Sequence, residues 1–214
     1  MKTHSIFPKF VAVLVCLLYG CNDNKIGIFD HSQDIGNPVL KGETHYDPET
    51  ETYTLKGAGY NIWFARDEFH YLFKEVHGDF KLRAQMDFVG EGKDPHRKIG
   101  IMCRESRDED AAHITATVHG DGLTVLQWRE QKGMEMRDPE DEIFAPESHY
   151  QVLELERKGN EFVMRGARSE NDPLVTIGAH TLPDVPSDAL VGIFICSHDA
   201  DTLEEARFFN LAME

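Results

Sequence analysis

Beyond position 27 the chain interleaves short stretches of period-two hydrophobicity with clusters of turn formers. The turn clusters include Gly36-Asn37-Pro38, Asp47-Pro48-Glu49, Gly90-Glu91-Gly92, His119-Gly120-Asp121-Gly122, Lys158-Gly159-Asn160 and Asn171-Asp172-Pro173. Strands joined by tight turns at such intervals build a sandwich or barrel; alternating strands and helices would show apolar faces with a 3.6 period. The pattern predicts strands over Thr52–Leu55, Asn61–Phe64, Phe80–Phe88, Lys98–Arg104, His113–His119, Leu123–Arg129, Tyr150–Arg157, Glu161–Ala167, Leu174–Leu182, Ala189–Cys196 and Ala206–Ala212. Asp67–Val76 fits a helical face through Phe69, Leu72, Phe73 and Val76 or, given its surroundings, a strand for part of its length. Arg107–Ala112 is long enough for one helical turn. The expected fold class is all-β, an antiparallel sandwich of two sheets.

Three of these strands orient one face. Ile99, Ile101 and Cys103 alternate with Lys98, Gly100, Met102 and Arg104. Ile114, Ala116 and Val118 alternate with His113, Thr115, Thr117 and His119, and Leu126 and Trp128 with Gln127 and Arg129. If the apolar sets turn inward, Arg104, His113, Thr115, Gln127 and Arg129 gather on a hydrated outer face.

The first residues have a different character. Lys2 and Lys9 precede an apolar run from Phe10 to Leu18, too short to span a bilayer as a helix. Tyr19-Gly20-Cys21 follows directly. This resembles the lipobox of bacterial lipoproteins, in which the cysteine is acylated and the segment before it removed. The implied organisation is a signal peptide over 1–21 with lipidation at Cys21, a tether over 22–28 and a sandwich domain over 29–214. The expected location is the bacterial cell envelope, with the membrane reached through the lipid anchor alone.

Charge narrows the partners. The 214 residues carry 22 Lys plus Arg against 38 Asp plus Glu, a net charge of −16. Loss of residues 1–21 removes two lysines and no acid, leaving −18. Such a surface repels phosphate backbones, so no nucleic-acid partner is expected. Of the four cysteines, Cys103 and Cys196 belong to the domain; both sit in apolar runs and read as buried free thiols.

The segments Asp34-Ile35-Gly36-Asn37-Pro38, Tyr60-Asn61-Ile62-Trp63-Phe64, Gly78-Asp79-Phe80-Lys81-Leu82, His96 through Ser106, Val118 through Leu123 and Cys196-Ser197-His198-Asp199 carry a resemblance. The chain resembles concanavalin A-like lectin/glucanase sandwich domains of secreted bacterial proteins, of the "regulation of enolase"-like and Tol-propeller-associated kind. It is also similar to the 3-keto-glycoside hydrolase group, through the sandwich and the Gly-Asp-Phe strand start. The resemblance implies a jelly roll associated with carbohydrate.

The candidate ligand site is Arg104, His113, Gln127 and Arg129 with Trp63 beside them. Guanidinium and amide planes match hydroxyl pairs, and an indole packs on the apolar face of a sugar. The plainer reading is a hydrated sheet face with a core indole. His96, Arg97 and Lys98 form a basic spot suited to a carboxylate or sulfate, or else a loop that balances Glu91 and Asp94. Glu154 and Glu156 share a strand face and read as solvated, as does the acidic loop Asp138–Glu142. His198-Asp199 reads as a turn. The 11 histidines show no ligand spacing such as His-Glu-x-x-His, and no metal is expected. Neither a phosphate-binding glycine loop, a dinucleotide fingerprint nor a Gly-x-Ser-x-Gly elbow occurs, so no cofactor is expected. The expected function is carbohydrate binding without catalysis. A glycan-degrading hydrolase or lyase on the same face, and a scaffold lipoprotein, are the alternatives.

Overall fold

The computed structural model describes residues 25–214. The proposed signal peptide and Cys21 lie outside the described residues. Two seven-stranded antiparallel sheets face each other, with strands numbered in chain order. The first runs β1 (His31–Ile35), β6 (Phe69–His77), β15 (Asp188–Cys196), β8 (Lys98–Arg104), β9 (His113–His119), β10 (Thr124–Arg129) and β11 (Glu142–Phe144). The second runs β14 (Val175–Thr181), β13 (Glu161–Ala167), β12 (Val152–Lys158), β7 (Phe80–Val89), β16 (Asp199–Met213), β3 (Thr52–Gly59) and β2 (Glu43–Asp47). A two-stranded hairpin, β4 (Ile62–Trp63) and β5 (Arg66–Asp67), stands apart from both. The strand pattern predicts a sandwich or barrel and the resemblance implies a jelly roll; the fold is a jelly-roll sandwich. Most of the Asp67–Val76 stretch is strand, and Arg107–Ala112 is a loop turned by the Ala111 amide donating to the Asp108 carbonyl.

The core between the sheets follows from period two. Ile99, Ile101, Cys103, Ile114, Ala116, Val118, Leu126 and Trp128 point inward from the first sheet. Leu55, Leu82, Ala84, Met86, Leu153, Leu155, Phe162, Met164 and Phe208 meet them from the second. Each such side chain contributes about 1.5–3 kcal/mol by leaving water. Trp128 stacks on His180 at 3.9 Å between centroids. Cys103 and Cys196 are both buried and free.

The first sheet departs from expectation on its other side. β8, β9 and β10 are buried at every position. A second apolar cluster of Ile35, Ile62, Phe69, Tyr71, Phe73, Met102, Leu190, Phe194 and Cys196 covers part of that face. The β4–β5 hairpin and the loops at 105–112 and 130–141 roof the rest of one end. The alternation places the side chains on the expected faces, yet most of the polar face is dry.

The β9–β10 connection is the predicted hairpin. The His119 amide donates to the Leu123 carbonyl at 2.8 Å, and the Gly122 amide to the His119 carbonyl at 3.0 Å. Gly122 has φ +89°, and a Cβ there would lie 2.3 Å from the His149 ring. Glycine is therefore required on two counts, and it leaves His119 at the open end of the sheet.

Candidate functional site

The outer face of the first sheet divides into a sealed end and an open end. At the sealed end Asp67, from the hairpin, is fully buried and takes a bidentate contact from Arg129. Its Oδ1 accepts from Nη2 at 2.6 Å and its Oδ2 from Nη1 at 2.8 Å. Arg104 Nη2 lies 3.4 Å and His113 Nε2 3.7 Å from the same Oδ2. Arg129 also donates to the carbonyls of Phe64, Ala111 and Met134, and Arg104 to those of Ser106 and Asp108. Each guanidinium thus ties the sheet to a roofing loop. Burial, then the two arginines, holds His113 well below the usual histidine range, so it is neutral.

Three of the residues expected on the ligand face, Arg104, His113 and Arg129, are therefore enclosed, each with no exposed surface. They hold the roof and have no route to a ligand in this structure. The physical reason is that a carboxylate from elsewhere in the chain closes over two cations, and the loops carrying the acceptor carbonyls close with it. Gln127 and Trp63 lie instead at the open end.

That end is a cleft of about 290 Å³, lined by Asn61, Trp63, His96, Lys98, His119, Gln127, Glu142 and neighbouring residues. Lys98 and His119 sit directly opposite one another across the β8–β9 pair. Lys98 Nζ donates to Asn61 Oδ1 at 2.9 Å and to the His96 carbonyl at 3.1 Å. Asn61 is set by its own hairpin: its Oδ1 also accepts the Ile62 amide, and its carbonyl accepts the Glu68 amide. Burial lowers the Lys98 ammonium from its ordinary value. His119 is pushed down to about 2 by burial and then by Lys98, His96 and His198, so its imidazole is neutral. Neither ring nitrogen makes a hydrogen bond of ordinary geometry among the described residues, although the Gln127 side chain is close enough to act on the ring. The His96 ring packs edge-on against it at 5.8 Å, and His198 Nδ1 stands 3.4 Å from Asp94 Oδ1.

The opposite wall is acidic. Gln127 and Glu142 are cross-strand partners, with Gln127 Nε2 donating to Glu142 Oε2 at 3.3 Å. Burial raises the Glu142 carboxyl above its usual range, and adjacent Asp138 raises it further. The loop that delivers both is built around Arg137, whose Nε and Nη2 donate to Asp141 at 2.9 and 2.6 Å while Asp141 Oδ2 accepts the Arg137 amide. The 138–142 segment is exposed through Glu140, as the sequence suggests for a solvated loop, while Asp138 and Glu142 also line the cleft.

The other candidates fall into structural roles. Arg97 is buried, donates to Glu204 Oε2 at 2.5 Å and to the Gly90 carbonyl, and lies over Phe88. Glu154 and Glu156 are nearly buried and share Arg165 Nη1 at 2.9 and 2.7 Å on the far side of the second sheet. Asp199 pairs with Lys93 while His198 turns to Asp94 and into the cleft. Among the described residues no group of three or more His, Cys, Asp or Glu side chains is arranged to hold a metal ion, and no helix is long and apolar enough to cross a membrane.

No known family model matches the chain, and no curated protein matches it. Solved structures do. A functionally unknown protein from Saccharomyces cerevisiae superimposes with TM-score 0.64 at 15% identity, over 86% of this chain and 95% of that one. The legume lectin-like domain from Entamoeba histolytica gives 0.53 at 11% identity, over 85% and 95%. A family 7 alginate lyase in complex with substrate gives 0.52 at 8% identity, over 86% and 91%. Likeness at these identities establishes the concanavalin A-like sandwich as the fold.

Proposed function

We propose that this protein is an envelope-anchored lipoprotein whose sandwich binds a saccharide in the cleft between Lys98 and Glu142, without catalysis. The observation that carries the reading is the composition of the cleft. A half-buried indole, Trp63, flanks the planar groups of Gln127, Glu142 and Asn61 and the Lys98 ammonium, a compact donor. Such sites orient hydroxyl pairs by hydrogen bonds and pack a ring against the apolar sugar face. Lectin-like and polysaccharide-degrading neighbours on the same fold support it by analogy. We place the chain with the "regulation of enolase"-like sandwiches on the segments quoted above. The anchor is acylated Cys21.

A second reading, a glycan-degrading enzyme, is favoured by one observation. Glu142 and Asp138 stand together in the cleft, with Glu142 shifted toward its protonated form. Glycosidic cleavage requires a carboxyl group as proton donor, and a raised pKa favours that role. A glycan array run with the full chain, with product analysis on every glycan retained, separates the two. Retention without turnover, weakened by Trp63→Ala, supports the binding protein. Turnover lost in Glu142→Gln supports the enzyme. No retention and no turnover on any glycan overturns both.

A further inference from the structure

The unmatched groups of the cleft specify more than a saccharide. An ammonium has three protons to donate, and the protein takes two of those from Lys98, both with neutral carbonyl oxygens. Among the described residues no carboxylate lies within 4.0 Å of it; Asp94 and Asp121 act on it only from a distance. Lys98 is only 4% exposed, so water does little to compensate. Across the ladder, His119 is 5% exposed and has one N–H to give and one lone pair to fill; neither ring nitrogen makes a hydrogen bond of ordinary geometry, with Gln127 its polar side-chain neighbour. A fold with 38 acidic residues has many ways to neutralise a buried lysine, and here it uses none of them.

We infer that the saccharide bound in this cleft is acidic, its anionic group seated between the Lys98 ammonium and the His119 N–H. This rests on the saccharide reading and names its substrate class. An anionic oxygen accepts the third Lys98 proton and the imidazole proton, and a neighbouring ring hydroxyl donates to the other imidazole nitrogen. A carboxylate or sulfate ester carried on a hydroxylated ring has this pattern of two acceptors beside one donor. The rest of the ring then faces Gln127 and Glu142 on the opposite wall. A neutral sugar hydroxyl accepts the proton but leaves the ammonium charge without a counter-charge.

The test is binding of the full chain to polygalacturonate, dextran sulfate and neutral dextran by calorimetry at low and high salt. The expected result is retention of one or both charged polymers at least tenfold tighter than dextran, weakening with salt. Lys98→Met and Lys98→Gln should each lose tenfold or more with circular dichroism unchanged, while Lys158→Met, an exposed lysine on the other sheet, leaves affinity unaltered. Preference for carboxylate or for sulfate identifies the source of the anion. Equal binding of dextran, untouched by both Lys98 variants, overturns the acidic-ligand inference and leaves the saccharide reading standing. Absence of binding to all three polymers together with an empty neutral-glycan array overturns both.

Discussion

Replacing Asp67 with asparagine removes one charge and almost no volume, at a residue that water does not reach. Asp67 supplies two short bonds to Arg129 and the nearest negative charge to Arg104. The amide keeps one acceptor but turns an NH2 toward a guanidinium that has only protons to offer. Two buried cations are then left without a counter-charge. Breaking one side of a buried ion pair costs about 3–5 kcal/mol, a large fraction of the roughly 5–15 kcal/mol that holds a domain together. The midpoint of thermal unfolding should fall by on the order of 10 °C. Urea denaturation of wild type and Asp67→Asn measures the loss directly. Because the hairpin carrying Asp67 also carries Trp63, the emission of that indole should shift in the native baseline. A loss below about 1 kcal/mol for Asp67→Asn would show that the cluster does not hold the roof.

Lys98→Met should be neutral or stabilising by about 1 kcal/mol in the same urea assay, because an unmatched ammonium leaves the interior; a clear destabilisation would mark Lys98 as a structural residue. His119 is held near 2 against an ordinary value near 6.5, so the unfolded chain binds the proton more readily. Stability should therefore fall as pH drops below about 6.5, by up to ~1.4 kcal/mol per pH unit from this residue, and His119→Gln should flatten the acid limb of a midpoint-versus-pH curve. Arg104→Ala should destabilise by several kcal/mol (roughly 3–5) through the abandoned carbonyls of Ser106 and Asp108, which calorimetric unfolding will register. Cys21→Ser should shift the protein from membrane to soluble fractions on fractionation, since acyl chains supply about 0.8 kcal/mol per buried methylene.

Alternation along the strands is a local property, and it was legible. Ile99, Ile114 and Leu126 point inward, and Arg104, His113 and Arg129 share the opposite face. What covers that face is not local. Asp67 stands 62 residues from Arg129, in a stretch whose apolar spacing fits two periods, and nothing nearby marks it as a counter-ion. Two arginines and a histidine clustered on one face do carry a signal, because such a group needs a carboxylate if it is enclosed. Glu142 was hidden for a related reason. The loop before it has no hydrophobic period, and its place opposite Gln127 appears only once β11 is paired with β10. Lys98 and His119 were each visible as strand ends, yet their direct opposition depends on the β8–β9 register.

The position of β16 bears on when this domain can assemble. It is the last strand described, and it lies inside the second sheet, hydrogen-bonded to β7 on one side and β3 on the other. Until residues 199–213 have been synthesised, β3 and β7 have no shared neighbour and half the sandwich has no closed core. Closure of the second sheet therefore waits for residues 199–213 to emerge, whatever has formed before them, and pairings as distant as β3 with β16 make folding slow.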